Sequence, residues 1–337
     1  MAATMLAGRL DLHGAGLVME QVPVPQPGPD EVLVRVASAG VCLSDVHLIE
    51  GMFKPLHATG DKVTLGHEVA GEVAELGDAV AGIRIGDRVL LQAGEERAGA
   101  VHTRGVDYDG GWAEYAVATA STLVPIPASL SFDEACFLPD AVSTPWSAIT
   151  GTGAVRPAEA VGVWGIGGLG THGVQLLRLI GAYPIVAVDP LPAARERALA
   201  LGADVTLDPA DPDLPARVRA ATGGRGLAAV FDFTGEPVVY EQAVSVLAVG
   251  GRLVLVGLSD QPLSLADGIR FSYLGQRLLG HYGSTRRHLE ELVELVRGRR
   301  LELSRSVSAR YPLDEAAKAV AALRTKDGSP VRLILKP

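Results

Sequence analysis

The chain has 337 residues, too many for one ordinary hydrophobic core, so two domains are expected. A hydrophobic content of 48%, a charged content of 20% and a net charge of −9, with acidic and basic residues interspersed, describe a globular protein and give nucleic-acid binding no footing. No stretch approaches the ~20 apolar residues that span a bilayer, MAATMLAGRLDLHG lacks the apolar core of a signal peptide, and two cysteines, Cys42 and Cys136, cannot form a disulfide framework, so a reducing cytoplasm is the expected compartment.

Up to about residue 145 short apolar runs are cut by Gly and Pro, and EVLVRVASAGV, HEVAGEVAELG, DRVLLQAG and WAEYAVAT have the length and alternation of strands. This half reads as a β-rich, barrel-like domain. SFDEACFLPDAVSTPW then suggests a helix, after which the texture changes. VGVWGIGGLGTHGVQLLRLIGAYPIVAVD is a strand, a glycine-rich turn, a helix and a second strand. AARERALALGAD reads as a helix, LAAVFDFTG and RLVLVG as further buried strands, and this alternation predicts a parallel, doubly wound α/β sheet. RRHLEELVELVRGRR and DEAAKAVAALRT are amphipathic helices and PVRLILKP a closing strand. The expected division is 1–149, 150–285 and a C-terminal segment 286–337.

Gly165-Ile166-Gly167-Gly168-Leu169-Gly170 fits G-x-G-x-x-G between a strand and a helix, and Asp189 stands at the end of the next strand, about 20 residues on. Such glycines let backbone approach a pyrophosphate, which then meets N–H groups at the helix start. A carboxylate at Asp189 accepts hydrogen bonds from both ribose hydroxyls and repels a 2′-phosphate, which favours NAD over NADP. Arg195, close behind it, would soften that preference.

Cys42, His67 and Asp140 are the residue types that hold a catalytic zinc, which takes three protein ligands and keeps a fourth position open. Each also has a plain reading: Cys42 as a small buried hydrophobe, His67 as a hydrogen-bonded side chain, Asp140 as a helix cap. Spacing alone cannot gather ligands spread over about 100 residues into one site. Trp112 and Trp146 could line an apolar pocket, although large aromatics more often belong to the core.

Taken in order, Gly66-His67-Glu68-x-x-Gly71 with Gly77 and Val80, then GVCLSDVH, DGGWAEY, GIGGLG, FDFTG and GGRLVLVG, resemble the zinc-containing alcohol dehydrogenases of the medium-chain dehydrogenase/reductase family over essentially the whole chain. Asp140, where many members carry Cys, is similar to the bacterial secondary-alcohol dehydrogenases, whose zinc is held by Cys, His and Asp. Residues 91–114 contain no cysteine, so the family's structural zinc lobe is missing and a single catalytic zinc is implied. The fold implied is a GroES-like catalytic domain joined to a Rossmann domain.

On this resemblance Cys42, His67 and Asp140 ligate zinc and Ser44 bonds the substrate hydroxyl. His47, an imidazole that titrates near neutral pH, passes the proton onward. Asp45 orients His67, and Glu68 either supports the ligands or exchanges with one of them. Thr144 is placed near the nicotinamide and Thr234 of FDFTG beside the cofactor. Val256, Gly257 and Leu258 surround the carboxamide, and Arg332 lies near the pyrophosphate. Leu43 replaces a residue that is basic in some members, which removes one phosphate contact. The activity implied is hydride transfer between NAD(H) and a small secondary alcohol and its ketone, or a polyol or amino alcohol. A homodimer or homotetramer pairing near GLSDQPLSLADGIRFSYL is also implied. The alternatives are a zinc-free reductase of enones or quinones, which lacks the Cys/His/acid set, and a catalytically silent NAD-binding protein.

Overall fold

In the computed structural model, which describes residues 3–14 and 16–337, the chain divides into two units: Met1–Ser143 with Gly283–Pro337, and Thr144–Tyr282. The first break falls a few residues before the expected boundary at 149. The turns Leu138–Val142, Ser143–Ser147 and Ala148–Thr152 follow one another helically, with no loop to mark it.

The first unit is built around the strand Glu31–Val41. Its alternating valines make it a strand. Val32, Val34 and Val36 join Val69, Val73, Trp112, Leu333 and Leu335 in one buried cluster. In the seven-stranded sheet the order is Leu123–Pro125, Arg88–Leu91, Val69–Leu76, Glu31–Val41, Arg332–Lys336 and Val307–Pro312, with Tyr115–Thr119 also paired to the central strand. A three-stranded sheet carries Gly16–Pro23, Thr4–Asp11 and Lys62–Thr64. Two features position the site. Val69–Leu76 runs antiparallel to Glu31–Val41 with Ala39 opposite Val69, so the end of one strand lies beside the start of the other. The closing strand Arg332–Lys336 takes the central strand's other side, with Leu333 opposite Val41. The C-terminal segment, whose sequence pattern resembles neither half, is therefore a partner of the strand that leads into Cys42.

The second unit carries six parallel strands in the order Val205–Leu207, Ile185–Val188, Val161–Trp164, Leu227–Asp232, Leu247–Leu255 and Arg277–Gly280. VGVW and IVAV are buried at every position, as central strands covered on both faces must be. The order reverses beside Val161–Trp164, and ligands of open α/β sheets bind at the carboxyl ends of strands at such a reversal. Among the described residues no helix is long and apolar enough to cross a membrane.

Asp133 fastens the returning C-terminal segment. Its carboxylate accepts hydrogen bonds from Ser38 Oγ at 2.6 Å, Lys336 Nζ at 2.7 Å and Arg310 Nε at 2.6 Å. Partial burial would raise this carboxyl, but hydrogen bonds from Lys336, Ser38 and Arg310 outweigh it and hold the group at about 2. A folded-state value below that of the unfolded chain gives stability that is present above about pH 4 and lost as pH falls toward 2. Because Arg310 and Lys336 are largely exposed, the contribution is about 1 kcal/mol. Asp133→Asn should lower urea-unfolding stability by that amount at pH 7, and the difference from the parent should close between pH 4 and pH 2.

Candidate metal centre and dinucleotide cradle

Cys42 ends the central strand and begins the helix Leu43–Ile49, whose first turn Asp45 secures by accepting the Cys42 N–H at 2.8 Å. His67 and Glu68 immediately precede Val69–Leu76, so the antiparallel register brings them to Cys42. Asp140 arrives from the wide π-helical turn Leu138–Val142, a distortion found often at functional sites. Cys42 Sγ lies 3.3 Å and His67 Nε2 3.4 Å from one and the same oxygen, Asp140 Oδ2. With a Glu68 oxygen, the four donor atoms all fall within 4.8 Å of one another. Ser44 Oγ is 3.4 Å from His67 Nε2. His47, one turn further along the same helix, is half-buried.

The electrostatics are those of crowded acids with little water. Burial alone would lower the His67 imidazole, but the negative charge of Asp45, followed by the contacts with Asp140 and Cys42, overcomes it and holds the ring well above its usual value. Burial pushes Glu68 up to about 7 against the pull of Arg332, and the charges of Asp140 and Asp45 add to the rise. Asp45 Oδ1 stands 3.4 Å from His67 Nδ1 as an ion-pair contact, and both atoms, like Glu68 Oε2, are buried without a hydrogen-bond partner. A dipositive ion among Cys42, His67 and Asp140 fits this set. Thiolate, imidazole and carboxylate are zinc's ligand types, the ion offsets the clustered negative charge, and Asp45 lies where it can orient the ligating ring.

Arg332, expected near the pyrophosphate, is 2% exposed with its guanidinium 3.2 Å from Glu68 Oε1. A carboxylate as buried as Glu68 requires a countercharge, and Arg332 supplies one. Trp112 is fully buried, a core residue. The cysteine-free stretch 91–114 forms a hairpin of Gly94–Arg97 and Ala100–Thr103. It is consolidated by the Arg97 guanidinium stacked 4.2 Å above the Tyr108 ring and by the buried Arg104, which donates to the Val117 carbonyl at 2.8 Å.

In the second unit, Gly165 leaves its strand at φ +85° and Gly167 caps the helix Gly168–Ile180. A Cβ at Gly170 would collide with the Gly165 carbonyl and one at Gly165 with the Thr234 methyl, whereas one at Gly167 would meet nothing within 4 Å. Two of the glycines thus close the turn and the middle one leaves its outer face clear. Gly168 and Leu169 form the helix start. Asp189 accepts the Ile166 N–H at 2.7 Å and the Leu191 N–H at 2.8 Å, which fixes its carboxylate beside the glycine turn. Arg195 is held by Asp208 at 3.0 Å and by the Asp189 and Pro190 carbonyls. Thr234 Oγ1 donates to Asp232 at 2.6 Å, and the Asp232 carbonyl accepts the N–H groups of Val256 and Gly257 at 2.9 Å. Thr234 and Val256–Leu258 are thereby gathered at the carboxyl ends of adjacent strands. Thr144 is buried in the helical turn Ser143–Ser147. One residue that sequence reasoning missed is Arg197, which donates to the Ile166 carbonyl at 2.6 Å and to Thr171 Oγ1 at 3.1 Å, bracing the turn. Nothing in ARERALAL distinguishes it from its arginine neighbour.

The shared sequence pattern of the alcohol dehydrogenase GroES-like domain matches residues 28–128, and that of zinc-binding dehydrogenase matches residues 168–298. The chain is 30% identical to L-threonine 3-dehydrogenase of Pyrococcus horikoshii over 100% of both proteins. It is 33% identical to an NAD-dependent alcohol dehydrogenase of Sulfurisphaera tokodaii over 75% of this chain and 78% of that one. A crystal structure of a zinc-binding dehydrogenase from Sinorhizobium meliloti, bound to NADP, superimposes with a TM-score of 0.89 at 26% identity, over 99% of this chain and 100% of the other. With the thiol, imidazole and carboxylates converging in a GroES-like unit and the glycine turn opening a Rossmann unit, the chain belongs to the zinc-binding alcohol dehydrogenase family.

Proposed function

We propose that the chain is an NAD(H)-dependent dehydrogenase of a small secondary alcohol and its ketone, working with a single zinc held by Cys42, His67 and Asp140. The observation that carries the reading is the convergence of Cys42 Sγ and His67 Nε2 on Asp140 Oδ2, with Ser44 Oγ beside the ring. Zinc, when bound, supplies the Lewis acidity that makes a hydroxyl more acidic or polarises a carbonyl, and the nicotinamide takes or gives the hydride. Ser44 accepts the proton of the substrate hydroxyl and hands its own onward. His47, one turn along, carries that proton to solvent, a task suited to an imidazole. Asp45 holds the His67 ring in orientation. Arg332 keeps Glu68 from standing as an uncompensated charge, and Glu68 provides a reserve carboxylate next to the donors.

The Asp189 carboxylate, fixed by two N–H groups, supports NAD as cofactor because it repels a 2′-phosphate. Arg195 Nη1 already has three oxygen acceptors, the Asp189 and Pro190 carbonyls and the Asp208 carboxylate, which tie this guanidinium to the chain around Asp189. The NAD dependence of the Sulfurisphaera relative agrees with this, and the NADP in the Sinorhizobium structure marks the alternative that the cofactor test must separate. The threonine dehydrogenase of Pyrococcus supports a secondary alcohol, since the C3 hydroxyl of threonine is one. We assign the protein to the cytoplasm, where its two buried, unpaired cysteines remain reduced.

We also infer a homo-oligomer paired through the second unit. The helix Gly268–Tyr273 buries none of its side chains, and Ile269 and Tyr273 are each 87% exposed beside the edge strand Arg277–Gly280. An exposed strand edge next to bare apolar side chains invites pairing.

Asp140→Ala should lose its metal and lower kcat/KM more than about 100-fold while leaving NAD affinity intact, as checked by elemental analysis and calorimetry. Full activity in that variant would remove Asp140 from the ligand set. Asp189→Gly should move the ratio of kcat/KM for NADP over NAD upward by about tenfold, equivalent to about 1.4 kcal/mol. Light scattering should give a dimer or tetramer mass for the parent and a smaller mass for Ile269→Glu combined with Tyr273→Glu. A parent that runs as a monomer would exclude the assembly.

A further inference from the structure

Two short segments deliver the Cys and His donors, and each contains a glycine whose presence needs a reason. A Cβ at Gly66, which has φ +94°, would collide with Trp112 Cδ1 and come within 2.8 Å of its Nε1. A Cβ at Gly40 would collide with the Glu68 carboxylate. The glycines one residue before His67 and two before Cys42 are therefore the sites where a large ring and a buried carboxylate press against the backbone.

The Trp112 ring spans both segments. Its Nε1–H donates to the Gly40 carbonyl at 3.0 Å in a fully buried contact, and its Cδ1 and Nε1 atoms fill the space a Cβ at Gly66 would take. Its backbone is fixed too. Trp112 N donates to the Leu65 carbonyl and Gly111 N to the Gly66 carbonyl, both at 2.8 Å, and the Trp112 carbonyl accepts from Gly8 N at 2.7 Å. Gly40 N in turn donates to the Glu68 carbonyl at 2.8 Å. One indole thus sits in a closed circuit: Trp112 to Gly40, Gly40 to Glu68, and Glu68 back through His67 and Gly66 to the ring.

We propose that Trp112 is a positioning residue of the metal centre, and that its indole N–H and ring set the separation of Cys42 Sγ from His67 Nε2. The effect is transmitted through backbone. A shift of the Gly40 peptide moves Cys42 two residues later, and a shift of Gly66 moves His67 directly. Asp140 comes from a different element, so it stays in place while the other two drift. Hydrogen bonds made directly to ligating side chains typically change metal affinity by about 10–100-fold when lost, and Trp112, which acts through the backbone next to the ligands, is expected at the lower end of that range. Phenylalanine at this position keeps an aromatic ring but removes the donor, leaving the buried Gly40 carbonyl without that bond.

The inference rests on the metal reading of the site, and cobalt(II) separates the two. The parent protein, stripped of metal and reloaded, should bind one cobalt(II) per chain with a thiolate-to-metal charge-transfer band from Cys42. Trp112→Phe should raise the cobalt(II) dissociation constant about tenfold and shift the band, because the Cys42–His67 geometry relaxes. Trp164→Phe is the control. Trp164 is equally buried and loses a comparable bond, to Gln242 at 2.8 Å, but it lies in the other unit, so cobalt affinity and spectrum should stay at parental values while stability drops. If Trp112→Phe does not fold, 3-benzothienylalanine placed at position 112, which replaces the N–H by sulfur and keeps the bicyclic ring, is expected to give the same shift. An unchanged dissociation constant and band in either variant, or equal losses in the Trp112 and Trp164 variants, would overturn the positioning role. A parent without a charge-transfer band would overturn the metal reading itself, and the positioning role with it.

Discussion

The structure of the first unit turns on a single electrostatic constraint, the gathering of acidic groups around one imidazole away from water. Taking an ion out of water costs several kcal/mol unless an opposite charge and hydrogen bonds meet it. Cys42, Asp45, Glu68 and Asp140 surround His67, and two of the carboxylates are answered by something specific. Asp45 receives the Cys42 N–H, and Glu68 receives the Ala141 N–H and the Arg332 guanidinium. The Asp140 carboxylate, with the Cys42 sulfur beside it, is what a divalent ion would meet. The path of the chain meets the need of Glu68, because the strand Arg332–Lys336 returns along the strand that leads into Cys42 and so brings Arg332 to Glu68.

The second unit solves a different problem with backbone in place of charge. Its glycine turn exposes N–H groups at a helix start and its strand ends collect loops, so a dinucleotide would be met by dipoles and by the single fixed carboxylate of Asp189. Arg195 and Arg197, which could have made this surface attract additional phosphate, are instead tied to carbonyls and to Asp208. The two units therefore divide the chemistry. One concentrates charge, and the other withholds it.

How legible these features were in sequence follows from how local each one is. The glycine turn and the strand ending at Asp189 could be read directly, because a strand, a turn and a helix leave their periodicities within about 30 residues. Cys42, His67 and Asp140 could not be joined by spacing. Antiparallel register and a π-helical turn unite them, and neither leaves a mark in composition, so the family resemblance had to supply the connection. Arg332 was placed near the pyrophosphate by the family resemblance, and its ion pair with Glu68 was not legible because nothing in PVRLILKP reveals that Glu68 is buried. Trp112 could be read as core or pocket, but its bond to Gly40 arises only in three dimensions.

The order in which these parts occur along the chain carries a consequence for biosynthesis. Lys336 reaches Ser38 across 298 positions of sequence, and the whole dinucleotide unit, Thr144–Tyr282, lies between them. The inserted unit is contiguous and emerges from the ribosome with all its own strands, so it can fold while translation continues. The first unit cannot follow suit. Its central strand waits with part of one edge open, and Glu68 waits without Arg332, until the strand Arg332–Lys336 has been made. A chain broken off before Arg332 would then carry a second unit of normal shape attached to a first unit that cannot close, so completion of the first unit rests on the strand Arg332–Lys336.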